Sequence, residues 1–463
     1  MTKGETKVPI VPDGGYGWIV CIAALLSNCI ISGFALSAGV LLVELLKNFN
    51  EPVSTISLIL SLRTGLNLCV GPFVTILLKR FTHRKIIIVG GLIGFISHFS
   101  STYVNRVDVL ILTYGVLGGI SLGMCFFAAN VIVGHYFDKK RATAVGMAVC
   151  GVGLGMFIFN NVTEMLLQHY GLKGTLLLSS GIVLNLVPLG ALVRPLKYKT
   201  VSECEELQVI ELDSVEKDGE HLKGKEKLEN ANDEHRMELC PDKSPEKEGT
   251  ESNDGKSSSK NIMTKCLSSM NLDLLTNTNM LLFCMIVLIW ASQHTVIYYL
   301  PYYAISLGMT RSEGAIFVSL IGISWVIAKL LSGVYSDVFH IRCDTVLVVA
   351  LGIATLAVIT FPYCTNFWSI IACTVVYSLS VGTVIPIRLT MVADLFSSKY
   401  ITSGFSLILF FNGIGYTIFP PIFGKIYDAT ESFPVLFRVN GAIYFFAEIF
   451  TIIIIIRRKM GKK

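Results

Sequence analysis

Three positively charged side chains lie inside stretches that are otherwise almost free of charge: Arg63, Lys329 and Arg388. A charge at the centre of a membrane-spanning helix costs about 2.5–3.5 kcal/mol on insertion scales, so it needs a partner, water or a function. Guanidinium and ammonium groups in such positions are suited to hold an anion, above all a carboxylate. Arg63 lies in the outer part of its stretch and Arg388 toward the inner end of its own, where a long side chain can instead extend to the interface.

Uncharged polar residues in the same stretches allow two interpretations, since they can hydrogen-bond a solute or join neighbouring helices. They are Asn28, Asn130, Asn160, His294 and Tyr298. We take Asn28, His294 and Tyr298 as further solute-binding candidates and leave the helix-packing alternative open. Glu44 and Glu448 lie near the predicted ends of apolar stretches, so we expect solvated carboxylates there and no proton carriers.

No Ser/His/Asp, Cys/His or metal-ligand arrangement stands out by its spacing, and no phosphate-binding loop is present. The sequence therefore predicts that the chain is not an enzyme and needs neither cofactor nor metal. Nothing in the distribution of basic residues favours nucleic acid as a partner.

The elements that carry these residues follow from hydropathy. The chain has 463 residues, 52% hydrophobic and 15% charged, and a soluble domain usually has about 25% charged residues. Apolar stretches of about twenty residues recur, each long enough to cross a bilayer. They predict an all-α polytopic membrane protein with twelve spans, near 17–41, 56–78, 86–104, 108–133, 142–164, 174–193, 279–303, 314–336, 344–364, 367–391, 402–424 and 435–456.

Between the sixth and seventh spans the composition changes to Glu, Lys, Asp, Ser and Gly, which is typical of a disordered linker. Two six-helix halves around a long hydrophilic connection are a layout of secondary transporters. The predicted divisions are an N-terminal segment 1–16, a first half 17–194, a linker 195–271, a second half 272–456 and a basic tail 457–463.

Basic residues cluster in the even-numbered connections and after the last span, as at Lys79, Arg80, Arg84 and Lys85. The same holds for Lys139 to Arg141. Because cytosolic loops carry the excess of Lys and Arg, both termini and the linker are expected in the cytosol.

Two separated motifs carry a family resemblance. The segment Pro12–Trp18 (PDGGYGW), with Asp13, Gly14, Gly15 and Trp18, resembles the signature of monocarboxylate transporters, a branch of the major facilitator superfamily. A second segment, 135–148, is similar to the basic turn and glycine-rich start of the fifth span in that family; its matching residues are Tyr136, Phe137, Lys140, Arg141 and Gly146. The resemblance implies the major facilitator fold, and we expect Asp13 to cap the first helix.

The resemblance also implies roles for single residues. Lys329 occupies the place where proton-coupled members carry an arginine that receives the substrate carboxylate, and Trp325 stands where they carry an aspartate. An ungapped comparison places Leu36 where lactate carriers have a lysine. These departures argue against the usual proton relay.

By the same resemblance, charged residues near the inner ends of spans 2 and 8 are expected to gate the transporter. They are Asp337, Arg342, Arg80 and Arg84.

The expected function is secondary transport of a small carboxylate-bearing solute by alternating access, without proton coupling. The solute would be a monocarboxylate, an amino acid or a zwitterion such as creatine or carnitine. A proton-coupled symporter that uses His294 or Glu44 is the alternative within transport, and a non-transporting receptor or scaffold is the alternative outside it. We expect a multi-pass protein of the plasma membrane. Its partners would be the lipid bilayer and, by resemblance, a single-span ancillary glycoprotein.

Overall fold

The computed structural model of the chain describes residues 7–9, 12–137, 140–195, 198–200, 278–339, 343–395 and 401–460. These residues fall into two units. The smaller unit holds an antiparallel ladder between β1 (Lys7–Pro9) and β2 (Tyr198–Thr200), which the sequence did not predict. The larger unit, from Pro12 to Pro195 and from Thr264 onward, is helical wherever it has regular structure.

The first half of the helical unit contains several helices that are interrupted within one span. Its elements are α1 (Tyr16–Leu36), α2 (Ala38–Phe49), α3 (Val53–Cys69), α4 (Gly71–Arg80), α5 (His83–Thr102), α6 (Val107–Leu110), a π-helical turn (Ile111–Leu117), α7 (Gly118–Tyr136), α8 (Arg141–Leu184) and α9 (Leu186–Leu192). The α3–α4 pair bends by 41°. Pro72 explains the bend, because proline lacks an N–H and clashes with the preceding turn.

Helix α8 is two spans joined at Gly171, where φ is 63° and ψ is −171°. That conformation is essentially restricted to glycine, and it reverses the chain. Packing confirms the reversal: Gly151 approaches Leu25 on α1, while Gly190 approaches Ile87 near the start of α5. The hydroxyl of Tyr16 also donates to the carbonyl of Leu192 over 2.7 Å, so the chain returns to the end where α1 starts.

The second half repeats the pattern of long apolar helices. Its elements are α10 (Thr278–Trp290), α11 (Gln293–Ser306), α12 (Arg311–Phe339), α13 (Cys343–Thr360), a 3₁₀ turn (Phe361–Tyr363), α14 (Phe367–Leu395), α15 (Ile401–Thr430) and α16 (Phe433–Met460). The first two form one span, broken at residues 291–292.

The described helices account for the twelve predicted spans. Ten stretches are long and apolar enough to cross a membrane, and the bent α3–α4 pair adds one more. The stretch Thr143–Leu192 has 50 residues and turns back at Gly171, so it counts as two. The helices extend a few residues past the predicted limits, because they continue beyond the apolar core of each segment.

The halves meet along two equivalent seams. Helix α3 of the second span packs along α15 of the eleventh, and α8 of the fifth packs along α12 of the eighth. At the first seam a Cβ on Gly65 would lie 2.6 Å from the carbonyl oxygen of Gly413. At the second a Cβ on Gly153 would lie 2.7 Å from that of Gly322. Only glycine allows backbones to approach this closely.

The end of the helical unit at which α1 begins and α16 ends is called the terminal end. The opposite end is called the distal end. Large apolar side chains such as Ile96, Leu112, Leu356 and Trp368 are exposed on the outside of the helices. A continuous apolar outer face is what hydrocarbon requires of a spanning bundle.

Candidate functional site

Arg63 is the most completely buried charged side chain that the structure describes, with 1% of its surface exposed. Its Nη2 lies 2.9 Å from Nε2 of His98 on α5. The other ring nitrogen, Nδ1, lies 2.9 Å from the carbonyl oxygen of Gly94. Because a carbonyl only accepts and a guanidinium only donates, the proton is assigned to Nδ1 and His98 is neutral.

The Arg63 Cζ also lies over the ring of Tyr114, 4.2 Å from the ring centroid. The ring belongs to the π-helical turn Ile111–Leu117, a kind of turn that is frequent at functional sites. The Nε and Nη1 atoms of Arg63 are buried and have no hydrogen-bond partner among the described residues. Arg63 also forms no ion pair with a described carboxylate. The structure thus holds a buried cation with donors to spare.

The neighbouring residue connects this cation to the second half. Thr64 Oγ1 lies 2.8 Å from the hydroxyl of Tyr298, which is fully buried on α11. The ring of His294 lies one turn earlier, 6.1 Å from that of Tyr298, and stacks on Tyr416 at 3.5 Å. Tyr298 therefore contacts the residue next to Arg63 where the two halves meet, and His294 lies one turn away from Tyr298.

The burial of Arg63 contradicts the alternative in which its side chain extends to the membrane–water interface. A side chain with 1% exposure that contacts His98 and Tyr114 lies inside the bundle. The bent span α3–α4 carries Arg63, and the broken span α10–α11 carries Tyr298, which contacts the neighbouring Thr64.

Asn28 is not part of this cluster. Its Nδ2 donates to Oδ1 of Asn130 over 2.9 Å and lies 2.9 Å from the carbonyl of Ala148. Asn130 returns a bond of 3.1 Å to the Asn28 carbonyl oxygen. The side chain therefore joins α1, α7 and α8, which favours the helix-packing interpretation.

Trp325 and Lys329 lie one turn apart on α12. Trp325 is buried against Gly382 of α14, and its indole Nε1 has no hydrogen-bond partner among the described residues. Lys329 is half-buried. A solute contact for either residue stays a prediction.

Of the five remaining charged candidates, the structure describes the side chains of Arg80 and Arg84. Arg342 lies outside the described residues, and so do the side chains of Arg388 and Asp337, although both positions are helical. Arg80 and Arg84 are exposed at the terminal end. The predicted gating network therefore stays a prediction.

The two sequence motifs meet at the terminal end. The backbone N–H of Asp13 donates to the carbonyl of Tyr136 over 3.2 Å, and Trp18 packs on Phe137 with centroids 5.0 Å apart. The N-cap of α1 is Gly15, whose φ of 53° suits glycine. The motif around Gly14 and Gly15 thus forms the turn that docks α1 on the end of α7.

In the second motif Tyr136 and Phe137 are buried, whereas the basic turn and the first glycine of the following helix contribute little packing. Gly146 is exposed and has open space around it, and Lys140 is exposed as well. The side chain of Arg141 lies outside the described residues. Close helix contacts come instead from Gly151 and Gly155, next to Leu25 and Cys29 on α1.

The expectation of a solvated Glu44 is wrong. Glu44 is only 9% exposed, and its Oε2 accepts a hydrogen bond of 2.5 Å from Nη1 of Arg311 at the start of α12. Asn48 donates to the other oxygen over 2.8 Å. The pair joins the two halves at the distal end. It forms because α2 continues to Phe49, past the predicted end of the first span at residue 41, and places Glu44 beside Arg311.

A second polar contact closes the distal end at the first seam. The carboxylate of Asp428 on α15 accepts backbone N–H groups of Val53 and Ser54 over 2.9 and 3.0 Å. It thereby caps the N-terminus of α3, although Asp428 belongs to the other half. At the second seam, Gln168 donates to the Ser312 hydroxyl near the start of α12 over 3.1 Å.

Comparison with known proteins decides the family. The family model described as Major Facilitator Superfamily matches residues 22–363 and 342–463. The chain belongs to the Major Facilitator Superfamily. Its helical fold agrees: it superimposes on the nucleoside transporter NupG with a TM-score of 0.67 at 11% identity, covering 95% of this chain and 98% of the other. A D-xylose-proton symporter gives a TM-score of 0.68 at 13% identity, covering 94% and 97%.

Within the superfamily the sequence is similar to monocarboxylate transporters over nearly its whole length. It is 26% identical to human monocarboxylate transporter 14, covering 95% of this chain and 91% of the relative. It is 23% identical to zebrafish (Danio rerio) monocarboxylate transporter 12-B, with 95% and 87% covered. Chicken (Gallus gallus) monocarboxylate transporter 9 is 25% identical, with 93% and 91% covered. This superfamily member is therefore a multi-pass membrane protein and a secondary transporter, and its sequence is similar to those of monocarboxylate transporters.

Two residues of this facilitator that contact Arg63 were not predicted from the sequence. His98 and Tyr114 lie in the third and fourth spans and contact Arg63 from both sides. A histidine in the middle of an uncharged span was the signal for His98, since ionisable residues are rare there. Tyr114 gave no such signal, because its π-helical turn has no sequence pattern that distinguishes it from an α-helix.

Proposed function

We propose that this transporter carries small solutes that bear a carboxylate, and that it moves them by alternating access without a coupled proton. The observation that supports the solute class is Arg63, a fully buried guanidinium whose Nε and Nη1 groups have no hydrogen-bond partner among the described residues. An unpaired buried charge is costly, so a binding anion would be strongly favoured. The names of the relatives, monocarboxylate transporters, agree with this class.

Alternating access would use the two seams. The glycine crossings Gly65–Gly413 and Gly153–Gly322 let each half roll over the other with little side-chain rearrangement. The polar contacts at the distal end would break as that end opens. Arg63, which is linked through Thr64 to Tyr298, would then be exposed to each side in turn.

Transport without protons is supported by the surroundings of the cation. No described carboxylate pairs with Arg63, so no carboxylate–cation relay is formed there. The competing proposal of proton symport named His294 and Glu44. Glu44 is held by Arg311, and His294 is stacked on Tyr416. Neither arrangement favours the role of a proton carrier that alternates between the two sides.

Orientation and location belong to the same proposal. The excess of basic residues at the terminal end, with Arg80 and Arg84 exposed, supports a cytosolic position for both termini. We propose the plasma membrane as the site of action. Association with a single-span ancillary glycoprotein is an expectation from family resemblance.

The test is uptake by proteoliposomes of five labelled carboxylates: pyruvate, lactate, creatine, carnitine and phenylalanine. Wild type is compared with Arg63→Gln, Arg63→Lys and Lys329→Ala, with and without an imposed proton gradient. We expect uptake of at least one solute by wild type and its loss in Arg63→Gln. Arg63→Lys should retain a small part, because an ammonium keeps the charge but loses the two-donor edge.

The outcomes separate the alternatives. Uptake that rises with the proton gradient would establish symport and remove the uncoupled mechanism. Full uptake by Arg63→Gln together with loss in Lys329→Ala would move the carboxylate site to α12. No uptake of any solute by correctly folded wild type would favour the receptor or scaffold.

A further inference from the structure

We infer that His98 and Tyr114 are positioning residues that hold the Arg63 guanidinium in one orientation and reserve a complete two-donor edge for the solute carboxylate. This inference rests on the proposed function. It concerns how the site recognises a carboxylate, and it gives a role to two residues that touch Arg63 without facing the other half.

The first step is the hydrogen bond from Arg63 to His98. The imidazole is itself held, since its Nδ1–H donates to the Gly94 carbonyl one turn earlier on α5. Its Nε2 lone pair therefore points in a fixed direction and takes one hydrogen of Nη2. A long and flexible side chain thus acquires a defined rotation about its last bonds.

The second step is the contact with Tyr114. The Arg63 Cζ lies over the Tyr114 ring, 4.2 Å from its centroid, so the ring excludes a ligand from that side of the guanidinium. The rings of His98 and Tyr114 also meet edge to face at 5.3 Å, which ties the two supports together. An anion must therefore bind on a side of Arg63 that the Tyr114 ring leaves open.

The third step is the count of donors. Nη2 carries two hydrogens, one beside Nε–H and one beside Nη1–H, and His98 takes only one of them. Whichever it takes, the other hydrogen and its unpartnered neighbour form a complete edge of two parallel donors. A planar carboxylate matches such an edge with two oxygens, whereas a halide can use it only as a point charge.

The experiment measures binding of the same five carboxylates to purified full-length protein by thermal stabilisation, with sodium chloride of equal ionic strength as reference. His98→Gln keeps an acceptor at similar reach, and His98→Leu removes it. His83→Leu makes the same change at the start of α5, far from Arg63, and is the matched control. Tyr114→Phe and Tyr114→Leu form a second pair in which only the latter loses the aromatic face.

We expect His98→Leu to raise the dissociation constant about tenfold, because a charge-assisted hydrogen bond that orients Arg63 is lost. His98→Gln and Tyr114→Phe should stay near wild type, and Tyr114→Leu should weaken binding. Equal affinity of His98→Leu and wild type would overturn the inference, and so would a glutamine variant as weak as the leucine variant. If wild type binds none of the five, the proposed function itself fails, and if Arg63→Gln binds them as wild type does, the carboxylate site does not lie at Arg63. Since Arg63→Gln tests the solute site and His98 tests its support, the two failures are distinguishable.

Discussion

At the scale of single residues, polar side chains within the spans separate according to their partners. Asn28 and Asn130 satisfy each other, whereas two nitrogen atoms of Arg63 have no hydrogen-bond partner in the part of the chain that the structure describes. Burial is nearly the same for Asn28 and Arg63, at 0% and 1% exposure. Unused hydrogen-bonding capacity, combined with charge, is therefore the reason why Arg63 is proposed as a binding residue and Asn28 as a packing residue.

Asn28→Leu should destabilise the protein by about 1–3 kcal/mol, because the Asn130 amide would be left buried and partly unsatisfied. The apparent KM for the transported solute should not change. Chemical unfolding of purified protein and uptake kinetics provide the two measurements. Asn161→Leu, on an exposed side of α8, is the control and should cost little. Loss of uptake by a stable Asn28→Leu variant would return Asn28 to the solute site.

At the scale of elements, interruptions of the helices place the functional side chains. The π-helical turn carries Tyr114 to Arg63, and the α10–α11 break lies next to Gln293 and His294. Interrupted helices free backbone groups inside the membrane, which is tolerated where protein or a cavity surrounds them. The structural interruption at Gly171 differs, because it lies between spans and reverses the chain.

Gly171→Ala should lower stability by about 1–3 kcal/mol, because its φ of 63° and ψ of −171° are accessible essentially to glycine alone. Nothing lies within 4 Å of the added Cβ, so the effect would come from the backbone and not from a clash. Gly181→Ala is the matched control, since it also has open space but lies inside a helix, where alanine is favoured. A loss of stability in both variants, or in neither, would contradict the assignment.

At the scale of the whole molecule, the two seams are equivalent in detail. Asp428 follows Gly413 by 15 residues, and Gln168 follows Gly153 by the same number. Each contacts the start of the facing helix, at Ser54 and Ser312 respectively. The distal end is therefore closed by two related contacts, of which the one at Asp428 is charged.

Asp428→Asn should favour opening of the distal end, because the amide keeps only one of the two acceptor oxygens and loses a negative charge at a helix N-terminus, which is worth about 0.3–1 kcal/mol. A cysteine placed at Ser57, which is buried beneath this contact, should then react faster with a membrane-impermeant maleimide. The rate is compared with that of the Ser57→Cys protein carrying Asp428. Asp108→Asn, in an exposed pair with Arg106, serves as control. Unchanged reactivity would mean that the Asp428 contact does not hold the distal end closed.

Exchange of the charges at Glu44 and Arg311 tests the ion pair that joins the two halves at the distal end. Glu44→Arg and Arg311→Glu should each reduce uptake, by about tenfold for a pair that is largely desolvated, because like charges would face each other between the halves. The double variant should recover a large part of the rate, since it restores opposite charges. Failure of the double variant to exceed either single variant would show that position matters more than charge.

Sequence by itself determined the twelve spans, the two halves and the family, because hydrocarbon thickness imposes a length on every apolar segment and the PDGGYGW motif is local. It also singled out Arg63, since a charge in a span is conspicuous. It could not show how Arg63 is held or recognise Glu44 as buried, because partners such as His98 and Arg311 are distant in sequence. Only the tertiary structure decided which buried polar groups already have hydrogen-bond partners. The capacity of a residue to bind a solute depends on its groups that have none.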